Sequence, residues 1–245
     1  MEYLRGYRVV FDDPEWMSKV GVAGLLFLSS MCVPLLGQLV VLGWEIEAMR
    51  RDVRGESGLP PLPLSFDAFK PYLELGVRQF IVQLAYSVPM IMAFMPIMVC
   101  LQFGVFASIR QGGGPESGML VVGAMLCSFP LFFAATIAVQ VFAIYASIRV
   151  GLTGDLSKGF EFGAIFAGVK RIGTELAIGA LSIGVMGFVF YLLGIFACFI
   201  GVMFTLQVVY AASGILRADL ARLDAERGGP PLPGAVDASV VETFR

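Results

Sequence analysis

The stretch LAIGALSIGVMGFVFYLLGIFACFIGVMFTLQVVYAASGIL, residues 176–216, is 41 residues long and contains no acid or base. As one α-helix it would extend about 60 Å, at about 1.5 Å per residue. That is twice the roughly 30 Å hydrocarbon core of a bilayer. The run therefore predicts two crossings, 176–194 and 196–216, joined by a turn near Leu193, Gly194 and Ile195. Three further charge-free runs lie upstream: Val20–Trp44, Gln79–Ile109 and Ser117–Ile148. Each exceeds the roughly 20 residues that one crossing needs. Pro89 and Pro96 predict a kink in the second run and Pro130 one in the third.

Composition points the same way. The chain is 58% hydrophobic and 15% charged, with a mean hydropathy of +0.83. A soluble domain carries about 25% charged residues, so lipid is expected to cover much of this surface. The expected fold is an all-α integral membrane bundle of about five transmembrane helices with amphipathic interfacial helices. Residues 1–216 form its single domain. Residues 217–245 are an amphipathic helix followed by a Pro-rich tail, of which 235–245 read as disordered by composition. No cleavable signal peptide is expected, because residues 1–19 mix both charge signs and lack an apolar segment.

The first run has two readings. Asp13 suits a helix N-cap, Pro14 the first helical position, and Trp16 and Lys19 an interfacial anchor. The length of 20–44 favours one crossing. Pro34, near its middle, also suits the tip of a re-entrant hairpin. Cation placement separates the two. With five crossings, 13 of the 17 lysines and arginines share a side with the C-terminus. With a re-entrant first run the split becomes 16 to 1. Either way the positive-inside rule puts the C-terminus in the cytoplasm, for a chain in the inner membrane. Length is given the greater weight, so five crossings are expected.

Two stretches read as amphipathic helices, either lying in the interface or packed on the bundle. One starts at Trp44, Ile46 and Met49 and resumes at Phe66, Phe69, Tyr72 and Leu73. The other runs from Phe160 through Phe166 to Lys170 and Arg171. The phrase Pro-Pro-Leu-Pro occurs twice, as Pro60, Pro61 and Pro63 and as Pro230, Pro231 and Pro233. It reads as a partner-contact peptide or as stiff linker. A phrase ending in Ala-Ser-Ile-Arg closes two runs, at Arg110 and at Arg149. It is either an internal repeat or two helix C-termini favoured by a cation.

Little chemistry is legible. The chain has no histidine, which removes imidazole-based catalysis and ligation. Cys32, Cys100, Cys127 and Cys198 all fall in apolar runs, as small hydrophobes do. Met90, Met92, Met95 and Met98 near Cys100 are soft ligands for Cu(I) or fillers of a kink. No acid or base lies deep in a run. Gln83, Gln102, Gln140 and Gln207 are the candidate intramembrane polar residues. They would line a polar path or bond helix to helix. No cofactor, nucleic-acid partner or enzymatic activity is expected. The leading expectation is a non-enzymatic accessory or scaffold subunit, in contact with membrane lipids and other membrane subunits. The alternative is a small-solute channel or facilitator with glutamine-lined helices.

One resemblance can be drawn. Asp13-Pro14-Glu15-Trp16, Lys19 and Gly21 precede the first run, and Pro34, Gly37, Gly43 and Arg50-Arg51 follow. Then come Gly58-Leu59-Pro60, Phe69, Gly76 and the second run through Pro89. This order resembles an uncharacterised bacterial and archaeal membrane family, domain of unknown function 4013, over about the first 95 residues. The resemblance implies a polytopic membrane protein and supplies no activity or site residues.

Overall fold

The computed structural model describes residues 2–30, 33–62, 65–110, 115–196 and 200–232. Among them are seven α-helices: α1 (Arg5–Asp12), α2 (Trp16–Ser29), α3 (Leu36–Val53), α4 (Phe66–Arg110), α5 (Pro115–Thr153), α6 (Phe162–Phe196) and α7 (Ile200–Glu226). A 3-10 turn, Leu156–Gly159, follows α5. Four segments are long and apolar enough to cross a membrane: Phe69–Gly104, Phe132–Thr153, Phe162–Phe196 and Gly201–Glu226.

The first apolar run is not one helix, contrary to what its length predicted. α2 ends at Ser29, Pro34 and Leu35 form a turn, and α3 starts at Leu36. Pro34 has no N–H to continue a helix, and Leu35 takes a left-handed φ of 71°. The Ser30 hydroxyl accepts the Gln38 N–H at 3.0 Å, which ties the two helices across the turn. α2 has 14 residues, about 21 Å of helix, too short to cross alone. The run thus forms two helices, α2 and α3, with Pro34 in the turn between them.

α3 then lies across the start of α4 at very close range. A Cβ on Gly43 would sit 1.7 Å from the Tyr72 carbonyl oxygen, and one on Gly76 would sit 1.7 Å from that of Leu39. Two glycines thus let backbone meet backbone at this crossing. α4 continues through Pro71, Pro89 and Pro96, and α5 through Pro130. α6 bends at Ile172, which has non-helical torsions (φ −127°, ψ 22°). α6 passes through Leu193, Gly194 and Ile195 to Phe196, past the turn predicted there, and α7 starts at Ile200. Gly194 serves close contact instead: its Cβ would lie 2.5 Å from the Val202 Cα.

Packing is concentrated at one end, here called the head. Trp44, Ile46 and Met49 are fully buried with Tyr145, Ile172, Leu176, Ile215 and Leu220. The start of the first amphipathic stretch is therefore packed on the bundle; Phe69, Tyr72 and Leu73 are half-buried, and the side chain of Phe66 lies outside the described residues. The second is packed on one face only: Ile165 is buried in the core, while Phe162 and Phe166 are 67% and 63% exposed. Ion pairs stitch the head together. Arg5 meets Asp52 at 2.8 Å and Asp219 at 2.6 Å, and Arg222 meets the same two at 2.7 and 3.0 Å. Hydrogen bonds to Asp52, then to Asp219, raise the Arg5 pKa against the opposing effect of burial. Asp224 accepts from Tyr145 at 2.7 Å and from Arg171 at 2.8 Å, joining α5, α6 and α7. Contrary to the expected cap, α2 starts at Trp16 with Glu15 as its N-cap, and Asp13 and Pro14 lie in the preceding turn. Asp13 accepts the Glu15 N–H, the Leu59 N–H at 2.6 Å and Lys19 at 2.8 Å. Away from the head the helices form apolar limbs: Gln79 and Val82 of α4 are buried, but the most apolar 18-residue window within Phe69–Gly104 has no buried residue.

Candidate functional site

Where the limbs meet the head, α5, α6 and α7 enclose a cavity of about 740 Å³. Its floor is Glu45 from α3 with Ser213 and Arg217 from α7. Gly214 makes this floor possible. A Cβ there would lie 2.5 Å from the Glu45 carbonyl oxygen, so only glycine lets α7 lie this close to α3. Glu45 Oε1 accepts from the Ser213 hydroxyl and pairs with Arg217 Nη2 at 3.2 Å. The two side chains are 1% and 9% exposed. Glu45 Oε2 and Arg217 Nε and Nη1 have no hydrogen-bond partner. A buried pair is stable only when its remaining polar atoms are also satisfied, so this floor is chemically incomplete.

The walls are mainly apolar, with Gln83, Thr136 and Gln140 among them. They run from Ile144 and Ala180 near the floor to Phe133, Phe188 and Leu206. Phe133, Leu181, Val185 and Phe188 line the cavity and are also 49%, 48%, 54% and 62% exposed. The mouth is therefore lateral, on the flank between α5 and α6. Gly184 is on the wall, and a Cβ built on it would meet nothing within 4 Å. The absence of a side chain at Gly184 thus gives the cavity room.

The four glutamines do not act together. Gln83 and Gln140 line the cavity. Gln102 is exposed towards the far end of α4. Gln207 is fully buried and donates to the Met203 carbonyl at 2.8 Å, one turn back in its own helix. The methionines do not converge either. Met92 and Met95 are 70% and 61% exposed, while Met90 faces the Thr136 hydroxyl. The Cys100 thiol is exposed. Cys32 and Cys198 lie outside the described residues, as do the side chains of Cys127 and Met98.

The prolines divide in the same way. Pro60 is buried, and its carbonyl accepts the Trp44 indole N–H at 3.0 Å. Pro61 is exposed, and its carbonyl accepts the Tyr72 hydroxyl at 2.7 Å. Pro230 and Pro231 are exposed. Pro63, Pro233 and the tail 235–245 lie outside the described residues. A second cavity, about 780 Å³, lies beside Pro61 on the head. Its cations Arg5, Lys19, Arg51 and Arg222 are each paired within the protein.

Glu45 and Arg217 were missed in the sequence because they lie outside the charge-free runs. Each is nevertheless the first charge after such a run, 20–44 and 176–216, and the signs are opposite. That was the one available signal.

No curated protein and no solved structure matches the chain. A family model described as "Protein of unknown function (DUF4013)" matches residues 26–199. The match extends well past the first 95 residues on which the resemblance was drawn, and it starts after Asp13-Pro14-Glu15-Trp16. It includes Glu45 and every cavity residue through Phe188. Covering more than half of the chain, it shows that the protein belongs to the DUF4013 family.

Proposed function

We propose that this is a non-enzymatic polytopic membrane protein that holds an apolar guest, drawn sideways from the bilayer, in the cavity between α5, α6 and α7. The lateral mouth carries this reading: its rim is Phe133, Leu181, Val185 and Phe188, exposed apolar side chains on helices long enough to cross. Its volume of about 740 Å³ falls within the roughly 300–1,000 Å³ usual for small-molecule sites. In this reading α4 to α7 cross, the α2–α3 hairpin enters and leaves on the head side, and the head faces the cytoplasm. The head side then holds 16 of the 17 cations.

Native mass spectrometry of the full chain, extracted from its membrane in mild detergent, tests the reading. The wild type is expected to carry a lipid-like adduct that Gly184→Phe lacks. Identical spectra from the two proteins would sink it.

The accessory-subunit reading keeps one supporting observation. The outer face of α4 exposes Met92, Met95, Ile97 and Phe103, and methionine-rich surfaces adapt readily to a protein partner. A chain that purifies alone from native membranes would exclude it. The facilitator reading has less support, because Gln83 and Gln140 stand among apolar walls and Gln102 and Gln207 lie elsewhere.

A further inference from the structure

Among the residues that line the cavity, the charged ones, Glu45 and Arg217, lie together at one end. Its floor of Glu45, Ser213 and Arg217 lies on the head side, and its walls reach towards the limbs. Counting along α7, Arg217 lies 17 residues from Ile200, about 26 Å of helix. In a bilayer of about 30 Å that places the floor near the head-side interface, at the depth of lipid headgroups. A guest lying along the cavity therefore has its apolar part in the limbs and a polar group at the floor.

The unpartnered atoms define that polar group. Arg217 offers two donors, Nε and Nη1, and Glu45 offers one acceptor, Oε2. Both side chains are at least nine-tenths buried. An anionic oxygen answers the guanidinium. An N–H or O–H donor beside it answers the carboxylate. A bare carboxylate or sulfate satisfies only the first demand, and a quaternary ammonium has no proton for the second. The opposite charges of Glu45 and Arg217 likewise fit a group carrying both signs.

Resting on the proposed cavity function, we propose that its ligand is a zwitterionic amphiphile of the phosphoethanolamine type. The phosphate oxygens meet Arg217, the protonated amine meets Glu45 Oε2, and an acyl chain fills the space between α5, α6 and α7. No covalent step is involved.

Defined probes on the delipidated full-length protein test this. Lysophosphatidylethanolamine, lysophosphatidylcholine and monoacylglycerol of one chain length are compared, with water-soluble O-phosphoethanolamine as a fourth arm. The ethanolamine lipid is expected to bind about tenfold more tightly than the choline lipid, the worth of one hydrogen bond to a charged group. Monoacylglycerol is expected to be weaker still, and free phosphoethanolamine not to compete at the same concentrations. Glu45→Gln is expected to remove most of the ethanolamine preference. Gly184→Phe, which leaves the floor intact, is expected to abolish binding of all three lipids. Equal affinity for the three lipids, all lost in Gly184→Phe, would overturn the headgroup assignment and leave the cavity reading standing. Binding of none, or binding unaffected by Gly184→Phe, would overturn both. Free phosphoethanolamine binding as tightly as its lipid would overturn the amphiphile. The comparison of probes on the wild type requires no variant to fold.

Discussion

At the residue scale, the Glu45–Arg217 pair has the largest consequences. Removing one partner from a buried pair strands the other charge, which costs about 3–5 kcal/mol. Glu45→Ala alone and Arg217→Met alone are each expected to lower stability by that order, read as thermal unfolding in mild detergent. Glu45→Leu combined with Arg217→Met is expected to recover most of the loss, since both charges are gone and the Ser213 hydroxyl is free to donate to the Tyr210 carbonyl, 3.0 Å away. Two additive losses would contradict the pairing. Asp13 offers a pH test. Burial works to raise its pKa, but Lys19 and the N–H groups of Leu59 and Glu15 outweigh it and hold the carboxyl below its ordinary value. A carboxyl with a depressed folded pKa stabilises the fold above its unfolded value of about 3.9 and loses that contribution as pH falls through the folded value. Stability is expected to decline below about pH 4 in the wild type. Asp13→Asn is expected to be about 2 kcal/mol weaker at pH 7 and to lack that acid limb. A pH series of unfolding midpoints checks both.

At the element scale, the α3–α4 crossing rests on two absent side chains. Gly43→Ala or Gly76→Ala puts a Cβ 1.7 Å from a carbonyl oxygen, so the helices must separate, at a cost of about 1–3 kcal/mol or more. Gly104→Ala, where nothing lies within 4 Å, is expected to be neutral or up to about 1 kcal/mol stabilising. Equal effects at Gly76 and Gly104 on the unfolding midpoint would contradict the crossing. The same elements show what was legible. Charge-free runs marked where α4 to α7 are apolar, because a long helix in contact with lipid must exclude charge over its whole length. The division of 20–44 into α2 and α3 was marked by Pro34. Length misled, because two helices joined by a turn read as one hydropathy peak. The first amphipathic stretch was ambiguous for a different reason. An apolar face tells that a helix is covered, and Trp44, Ile46 and Met49 turned out to be covered by protein.

At the scale of the whole molecule, the proposed topology makes one prediction. In a chain with Cys32, Cys100, Cys127 and Cys198 replaced by alanine, Ser57→Cys and Ser157→Cys lie on the head side and Arg110→Cys at the far end of α4. An impermeant maleimide added to intact cells is expected to label only Arg110→Cys. The other two are expected to react after the membrane is opened. Labelling of Ser57→Cys in intact cells would rule out the re-entrant arrangement or its orientation. The sequence by itself determined that the chain is helical, that its limbs are apolar, and where most of its charges gather. Those properties follow from composition along one strand of chain, which a single helix expresses without its neighbours. The cavity and its floor were decided only by the tertiary structure. Glu45 and Arg217 are 172 residues apart, and each reads alone as an ordinary charge closing an apolar run. Gly214, by letting α7 press against α3, turns two such ends into one buried and half-satisfied pair.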